Sequence, residues 1–296
     1  MYLGQTLLAA DTPANESVDS LRLGPLARTR ERYPQDMSEA GTPAPLLPSA
    51  LRVSHIQLDS GLPSVTLTLH LRETLVYCLT GRLRIYSTAT QLFLGAYGGR
   101  RSILDQHAHV VRFPAGSLQT VSLLLDGAAA DCLLVSCDAP CNLKATLPYM
   151  HTTDTVWHTV GTGTHQRLVG EVPTPPGYVI SAGQTIQQPG TTSSWPAHAT
   201  AEDLERYAAG ETTWEEYFYV VCEKPGRVQL DGLYDREERV KASQPLENGA
   251  IVRMPLGSHP VTAAPDGWLS YHWFYCGTAL QKQYNISSKD TGTYRK

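Results

Sequence analysis

Between Leu51 and Cys137 the chain runs as short alternating or apolar segments, VTLTLHL, TLVYCLTG, LRIYST, AHVVRFP, QTVSLLL and DCLLVSC, punctuated by glycine, proline and aspartate. Successive side chains on a strand point to opposite faces, so short runs of this kind between turn formers read as β-strands. The pattern predicts an all-β sandwich or barrel. Residues 11–50 have another texture, with many Pro, Ala, Ser and Thr residues and little periodicity. They are expected to pack as an extended arm on the body without forming a core of their own.

The pattern also repeats. Val110-Val-Arg-Phe-Pro-Ala-Gly-Ser117 returns as Ile251-Val-Arg-Met-Pro-Leu-Gly-Ser258, and Glu73-Thr-Leu-Val-Tyr-Cys78 is echoed by Glu215-Glu-Tyr-Phe-Tyr-Val220. The two markers keep their order, and their offsets differ by a single residue, which predicts a duplicated β-domain with a longer loop around 199–214 in the second copy. The expected organisation is an arm over 1–50, a first β-domain over 51–145, a linker over 146–166, a second β-domain over 167–280 and a tail over 281–296.

Composition narrows the function classes. At 296 residues, with 42% hydrophobic and 18% charged residues, the chain is globular and long enough for two cores of ordinary size. A net charge of -4 and scattered arginines leave no basic face, which argues against a nucleic-acid partner. No apolar run reaches the roughly 20 residues of a membrane helix. The opening MYLGQTLLAAD lacks the basic start and apolar length of a signal peptide. A cytoplasmic protein with no membrane partner is expected. Six cysteines without a Cys-x-x-Cys are too sparse for a disulfide scaffold. Cys137 and Cys141 are spaced as a metal or redox pair, but buried thiols are the favoured reading.

Candidate chemistry lies in the second copy. His198, Glu215 and His259 stand where strands can direct them inward, and a divalent transition metal takes imidazole nitrogens and a carboxylate converging from rigid elements. Alternation puts Glu215, Tyr217 and Tyr219 on one face and Glu216 and Phe218 on the other, so only one of the adjacent glutamates can join His198. The plainer alternative is three unrelated polar residues at a barrel mouth. His107-Ala-His109 precedes a strand and is not read as a metal pair. His272 and Trp273 are read as core or pocket wall.

Gly249, Pro255, Gly257 and His259 resemble the second motif of the cupins, and a histidine followed by a glutamate on the next strand resembles the first. More narrowly, SSWPAH, EEYFY, the Tyr234 region, PLGSHPVTAAP and YHWFYCG, with ETLVYCLTGR and VVRFPAGS in the first half, resemble the bicupin 5-deoxy-glucuronate isomerases of inositol breakdown and the related 5-keto-4-deoxyuronate isomerases. The resemblance spans roughly residues 50–280. It implies two jelly-roll-like barrels and a metal-dependent aldose-ketose isomerase acting on a deoxy-uronic acid such as 5-deoxy-glucuronate. It also implies zinc, manganese or iron as cofactor, with His198, Glu215 and His259 as ligands. The family's second histidine falls on Thr200, so weaker metal binding is expected. The first copy has Leu118 in place of His259 and only His70 near Glu73, so it is expected to bind no metal.

Tyr217, Tyr219 and Tyr234 either hydrogen-bond a sugar acid or fill the barrel with their rings. Arg253 either clamps a substrate carboxylate or, like its twin Arg112, makes a structural salt bridge. Two other functions stay open: a non-catalytic bicupin binding a small sugar acid, and an iron-dependent cupin dioxygenase. Homo-oligomerisation is also left open, as is the catalytic base.

Overall fold

The structure is a computed structural model that describes residues 51–69, 73–88, 90, 93–105, 109–114, 120–137, 155–174, 178, 180–194, 215–233, 239–254 and 257–276. The expected arm, the tail and the loop at 199–214 lie outside the described residues. Contacts divide the chain into two units. The first takes in Leu51–Val156 and Val172–Ser181, and the second takes in Trp157–Glu171 and the chain from Ala182 onward. The sequence places a linker over 146–166. Its described part, from Thr155, carries a strand, and the chain passes between the units more than once.

The first unit holds β1 (Leu51–Leu58), β2 (Ser64–Thr68), β3 (Glu73–Ser87), β4 (Phe93–Arg100), β5 (His109–Phe113) and β6 (Thr120–Cys137). They form an antiparallel sheet in the order β1-β6-β3-β4, with β2 also on β6 and β5 also on β3. TLVYCLTG and LRIYST, expected as two strands, are one strand of 15 residues. QTVSLLL and DCLLVSC likewise merge into one of 18 residues. Register shifts between Cys78 and Thr80 and between Gly81 and Leu83 replace the expected turns. Gly81 sits at φ +75, and a Cβ there would come 2.2 Å from the Ala129 carbonyl oxygen, so only glycine lets the two long strands bend past each other.

These long strands enclose a core that includes Val76, Leu83, Val111, Phe113, Leu123 and Leu134. Full burial of each such side chain is worth about 1.5–3 kcal/mol. Even-numbered positions of the first half of β3 enter this core, as Val76 and Cys78 do. The odd-numbered Glu73 lies on the other face, fully buried, 3.0 Å from the equally buried Arg112 of β5. Arg112 Nη1 also donates to the Ile180 carbonyl at 2.7 Å, and the Glu73 carboxylate accepts from the Ile180 amide at 3.2 and 3.3 Å. The structural salt bridge expected of Arg112 is present. Cys78, Cys132 and Cys222 are buried free thiols, as favoured from the sequence, and Cys137 is buried as well; Cys141 lies outside the described residues. Burial pushes the Cys78 thiol up to about 12.

The second unit contains β7 (Val156–Val160), a 3-10 turn at Gly163–His165, β8 (Arg167–Val172), β9 (Ile180–Gln187), β10 (Thr192–Ser193), β11 (Glu215–Cys222), β12 (Gly226–Leu233) and β13 (Arg239–Leu246). It continues with β14 (Ile251–Met254), β15 (Gly257–Ser258), β16 (Val261–Thr262) and β17 (Leu269–Cys276). One sheet runs β14-β11-β17-β9-β8-β7, and the other runs β10-β16-β12-β13 with β15 on β12. Phe218 and Val220 of β11 and Tyr271 of β17 meet Val228 and Val261 of the second sheet in one core. The repeat is visible in the register. Leu75 opposes Arg112 in the first unit, and Tyr217 opposes Arg253 in the second. Among the described residues no helix is long and apolar enough to cross a membrane.

Candidate functional site

A pocket of about 280 Å³ opens inside the second unit, near the lower end of the range for small-molecule sites. Its aromatic floor is Phe218, Tyr271 and Trp273. Phe218 stacks on Tyr271 with ring centroids 4.5 Å apart and meets His259 edge-on at 5.3 Å. His259 is half-buried and follows β15 directly, with Pro260 buried behind it.

The floor is fixed from behind by buried polar groups. The Ser193 hydroxyl donates to Gln187 Oε1 at 3.1 Å, which leaves the Tyr271 hydroxyl as donor to Ser193 Oγ at 2.9 Å. Gln187 Nε2 in turn donates to the carbonyls of Thr191 and Val261 at 2.9 and 3.0 Å. Buried networks of this kind lock rotamers because every broken bond leaves an unsatisfied group. Trp273 stands over Gly183, where a Cβ would come 2.0 Å from the indole.

Ser194 closes one wall at φ 52, the one non-glycine residue with positive φ among those described. A non-glycine residue in this region stores strain of roughly 1–3 kcal/mol, and such strain clusters at functional sites. The described chain leaves this wall four positions before His198.

Of the expected site residues, His259 lines the pocket. His198, Thr200 and Tyr234 lie outside the described residues, as do Leu118 and His70 of the first copy. Tyr217 and Tyr219 are not part of this pocket's lining. Both are buried, on the face of β11 opposite to Phe218, and Tyr219 packs 6.2 Å from the His272 ring. The pocket takes Phe218 from β11 instead. Register gives the cross-strand neighbours of β11. In the backbone register Arg253 opposes Tyr217, Glu216 opposes Tyr275 and Glu215 opposes Cys276. In the first unit the position equivalent to Glu216 is Thr74, whose buried hydroxyl has no hydrogen-bond partner. His109 of the His-x-His accepts a hydrogen bond from the Gly98 amide at 2.9 Å, a structural use of its Nδ1.

Sequence reasoning missed the residues of β8. Arg167 and Glu171 line the pocket with Val169 between them, all on one face of the strand. Arg167 Nη1 donates to the His165 carbonyl at 3.1 Å. Burial lowers the arginine's proton affinity, opposed by the nearby Tyr271 hydroxyl. No motif marks these positions. Among the described residues no three His, Cys, Asp or Glu side chains converge as a metal group. The half-buried imidazole of His259 on the pocket wall is nonetheless a donor of the type a borderline transition metal takes.

Two β-barrel units related by an internal repeat, with a pocket in the second, define an all-β protein of the bicupin class. Solved bicupins share the fold: the oxalate decarboxylase of Lactobacillus farciminis, in a formate complex, matches with a TM-score of 0.55 at 12% identity over 84% of this chain and 82% of its own. The Bacillus subtilis oxalate decarboxylase, described with Mn(II) centres, gives 0.51 at 11% identity over 80% and 71%. An IolB-like protein of Salmonella typhimurium LT2 gives 0.68 at 21% identity, covering 81% of this chain and 89% of that one. The profile of the KduI/IolB family matches residues 38–291, and the chain belongs to that family. Among its relatives, the 5-deoxy-glucuronate isomerase of Halalkalibacterium halodurans is 24% identical over 69% of this chain and 73% of its own length. That of Shouchella clausii is 32% identical over 30% of this chain, a match spanning 31% of the relative's length.

Proposed function

We propose that the protein is a metal-dependent aldose-ketose isomerase acting on a deoxy-uronic acid such as 5-deoxy-glucuronate, with its site in the pocket of the second unit. The observation that carries this reading is His259 on the wall of an aromatic-floored pocket, in a chain of the KduI/IolB family. The two isomerase relatives supply the reaction class. A divalent transition metal is in keeping with the Mn(II) of the Bacillus subtilis neighbour.

His198 and His259 would hold the metal with one glutamate from the start of β11. Strand parity favours Glu216 for that role and supports a second reading of Glu215. The register Tyr217–Arg253 repeats Leu75–Arg112, so Glu215 and Arg253 would form the second copy of the buried Glu73–Arg112 pair. A bound divalent cation would polarise the sugar's carbonyl and adjacent hydroxyl, easing movement of a proton between neighbouring carbons. The apolar floor of Phe218 and Trp273 would exclude water from the reacting face, and Thr200 in place of a ligand histidine would leave the metal held less tightly.

The test measures metal content by elemental analysis and conversion of 5-deoxy-glucuronate by NMR. About one metal per chain at most is expected. Glu216→Gln should weaken metal affinity at least tenfold in a chelator competition, whereas Glu215→Gln should lower stability and leave metal per folded chain unchanged. The reverse pattern would show that Glu215 is the ligand, and absence of conversion by metal-loaded protein would overturn the isomerase reading.

A further inference from the structure

The pocket is asymmetric in charge. Arg167 enters from the start of β8, and Glu171 sits four residues further along the same face, about 13 Å away by the usual strand rise. Hydroxyls of Thr185 and Ser194 and the aromatic floor complete the lining. Among the described residues, Arg167 is the one cationic guanidinium or ammonium group on that lining, and no carboxylate lies within ion-pair distance of it.

The turn before β8 is shaped around this side chain. Gly161 sits at φ +77, and a Cβ there would come 2.3 Å from the His165 carbonyl oxygen and 3.1 Å from Arg167 Nη1. Glycine therefore lets the backbone close on the carbonyl that anchors the guanidinium at 3.1 Å. A guanidinium has five N–H donors, and this anchor engages one nitrogen. The Nε and Nη2 edge, which matches the two oxygens of a carboxylate, keeps its donors for a ligand.

We propose that Arg167 is the residue that recognises the carboxylate of the sugar acid, so that the pocket takes a compact hydroxylated monocarboxylate in preference to its neutral counterpart. This rests on the sugar-acid reading of the pocket. A partly desolvated arginine without a fixed counter-charge gains most from an anion it binds bidentately, and Glu171 at the far end sets the ligand's direction by repelling the carboxylate.

The experiment compares binding of D-glucuronate and of neutral D-glucuronamide, by calorimetry or ligand-observed NMR, in the parent and in Arg167→Gln and Arg167→Lys. The parent should bind glucuronate at least tenfold more tightly than the amide. Arg167→Gln should bring that ratio close to one without weakening the amide, and Arg167→Lys should retain part of it as a point charge. A parent without carboxylate preference overturns the proposal, and so does a preference that survives in Arg167→Gln with parental circular dichroism. If Arg167→Gln does not fold, a full parental ratio in Arg167→Lys overturns it, because a lysine cannot reproduce the bidentate edge. The readout needs no turnover. A charge preference that depends on Arg167 in a protein that fails to isomerise 5-deoxy-glucuronate would therefore sink only the isomerase reading.

Discussion

Removing the positive charge of the Glu73–Arg112 pair should be among the costliest single changes in the first unit. Arg112→Met keeps much of the side chain's length and leaves the Glu73 carboxylate buried and without its cation, though it still accepts from the Ile180 amide at 3.2 and 3.3 Å. The change deletes the 3.0 Å charge-assisted hydrogen bond to Glu73 and the 2.7 Å bond to the Ile180 carbonyl. It also removes the guanidinium stacked 5.7 Å from the Tyr178 ring. With both partners fully buried, breaking such a pair costs about 3–5 kcal/mol, a large part of the 5–15 kcal/mol that typically holds a domain folded. Adding Glu73→Leu removes the stranded charge, so the double variant should recover about half of that loss. All five tryptophans fall outside the first unit, so tryptophan fluorescence reports on the wrong part of the chain. Urea unfolding followed by circular dichroism, with hydrogen exchange on peptides from β3 and β5, reads the right one. A cost below about 1 kcal/mol for Arg112→Met, or a double variant no more stable than the single, would refute the reasoning.

Gly183→Ala should drive a methyl group into Trp273, costing about 1–3 kcal/mol and shifting the near-ultraviolet circular dichroism of the pocket floor; an unchanged spectrum would mean that the indole is not seated there. At Asp131, burial alone would raise the carboxyl's pKa, but hydrogen bonds from His55, Gln57 and Thr80 outweigh it and hold the group below the ordinary carboxylate range. Its contribution to stability should be complete above about pH 4 and disappear as pH falls through the lowered folded value, so Asp131→Asn should narrow the difference in melting temperature between pH 6 and pH 2.5. Parallel acid sensitivity in both proteins would refute this.

The strand-rich texture and the duplication were legible in the sequence, because each rests on a local pattern. The parity of β11 was not. Tyr217, Phe218, Tyr219 and Val220 are all buried, so both faces of the strand are apolar and the alternation that would separate an inner from an outer glutamate is missing. Spacing to the aromatic run then pointed to Glu215. The first copy carries an alternation of its own, where Thr74, Val76 and Cys78 face inward and Glu73 does not. Gly81 read as a turn because glycine at positive φ serves turns and bends alike. Arg167 carried no signature at all, since a lone arginine at the start of a strand acquires meaning only when the turn before it and the pocket beyond it are known.

Thr74 gives the first barrel a practical value. Its hydroxyl is buried without a partner, and an unsatisfied polar group of that kind costs about 1–3 kcal/mol. The residue is therefore a poor contributor to its own barrel and can be exchanged with little to lose. It sits in the same register frame as Glu216, beneath the same arginine-bearing strand pairing. For protein engineering, this makes the first barrel a ready chassis for a second, independently chosen binding site, with Thr74 the place to begin building and the Glu73–Arg112 pair the part to leave untouched.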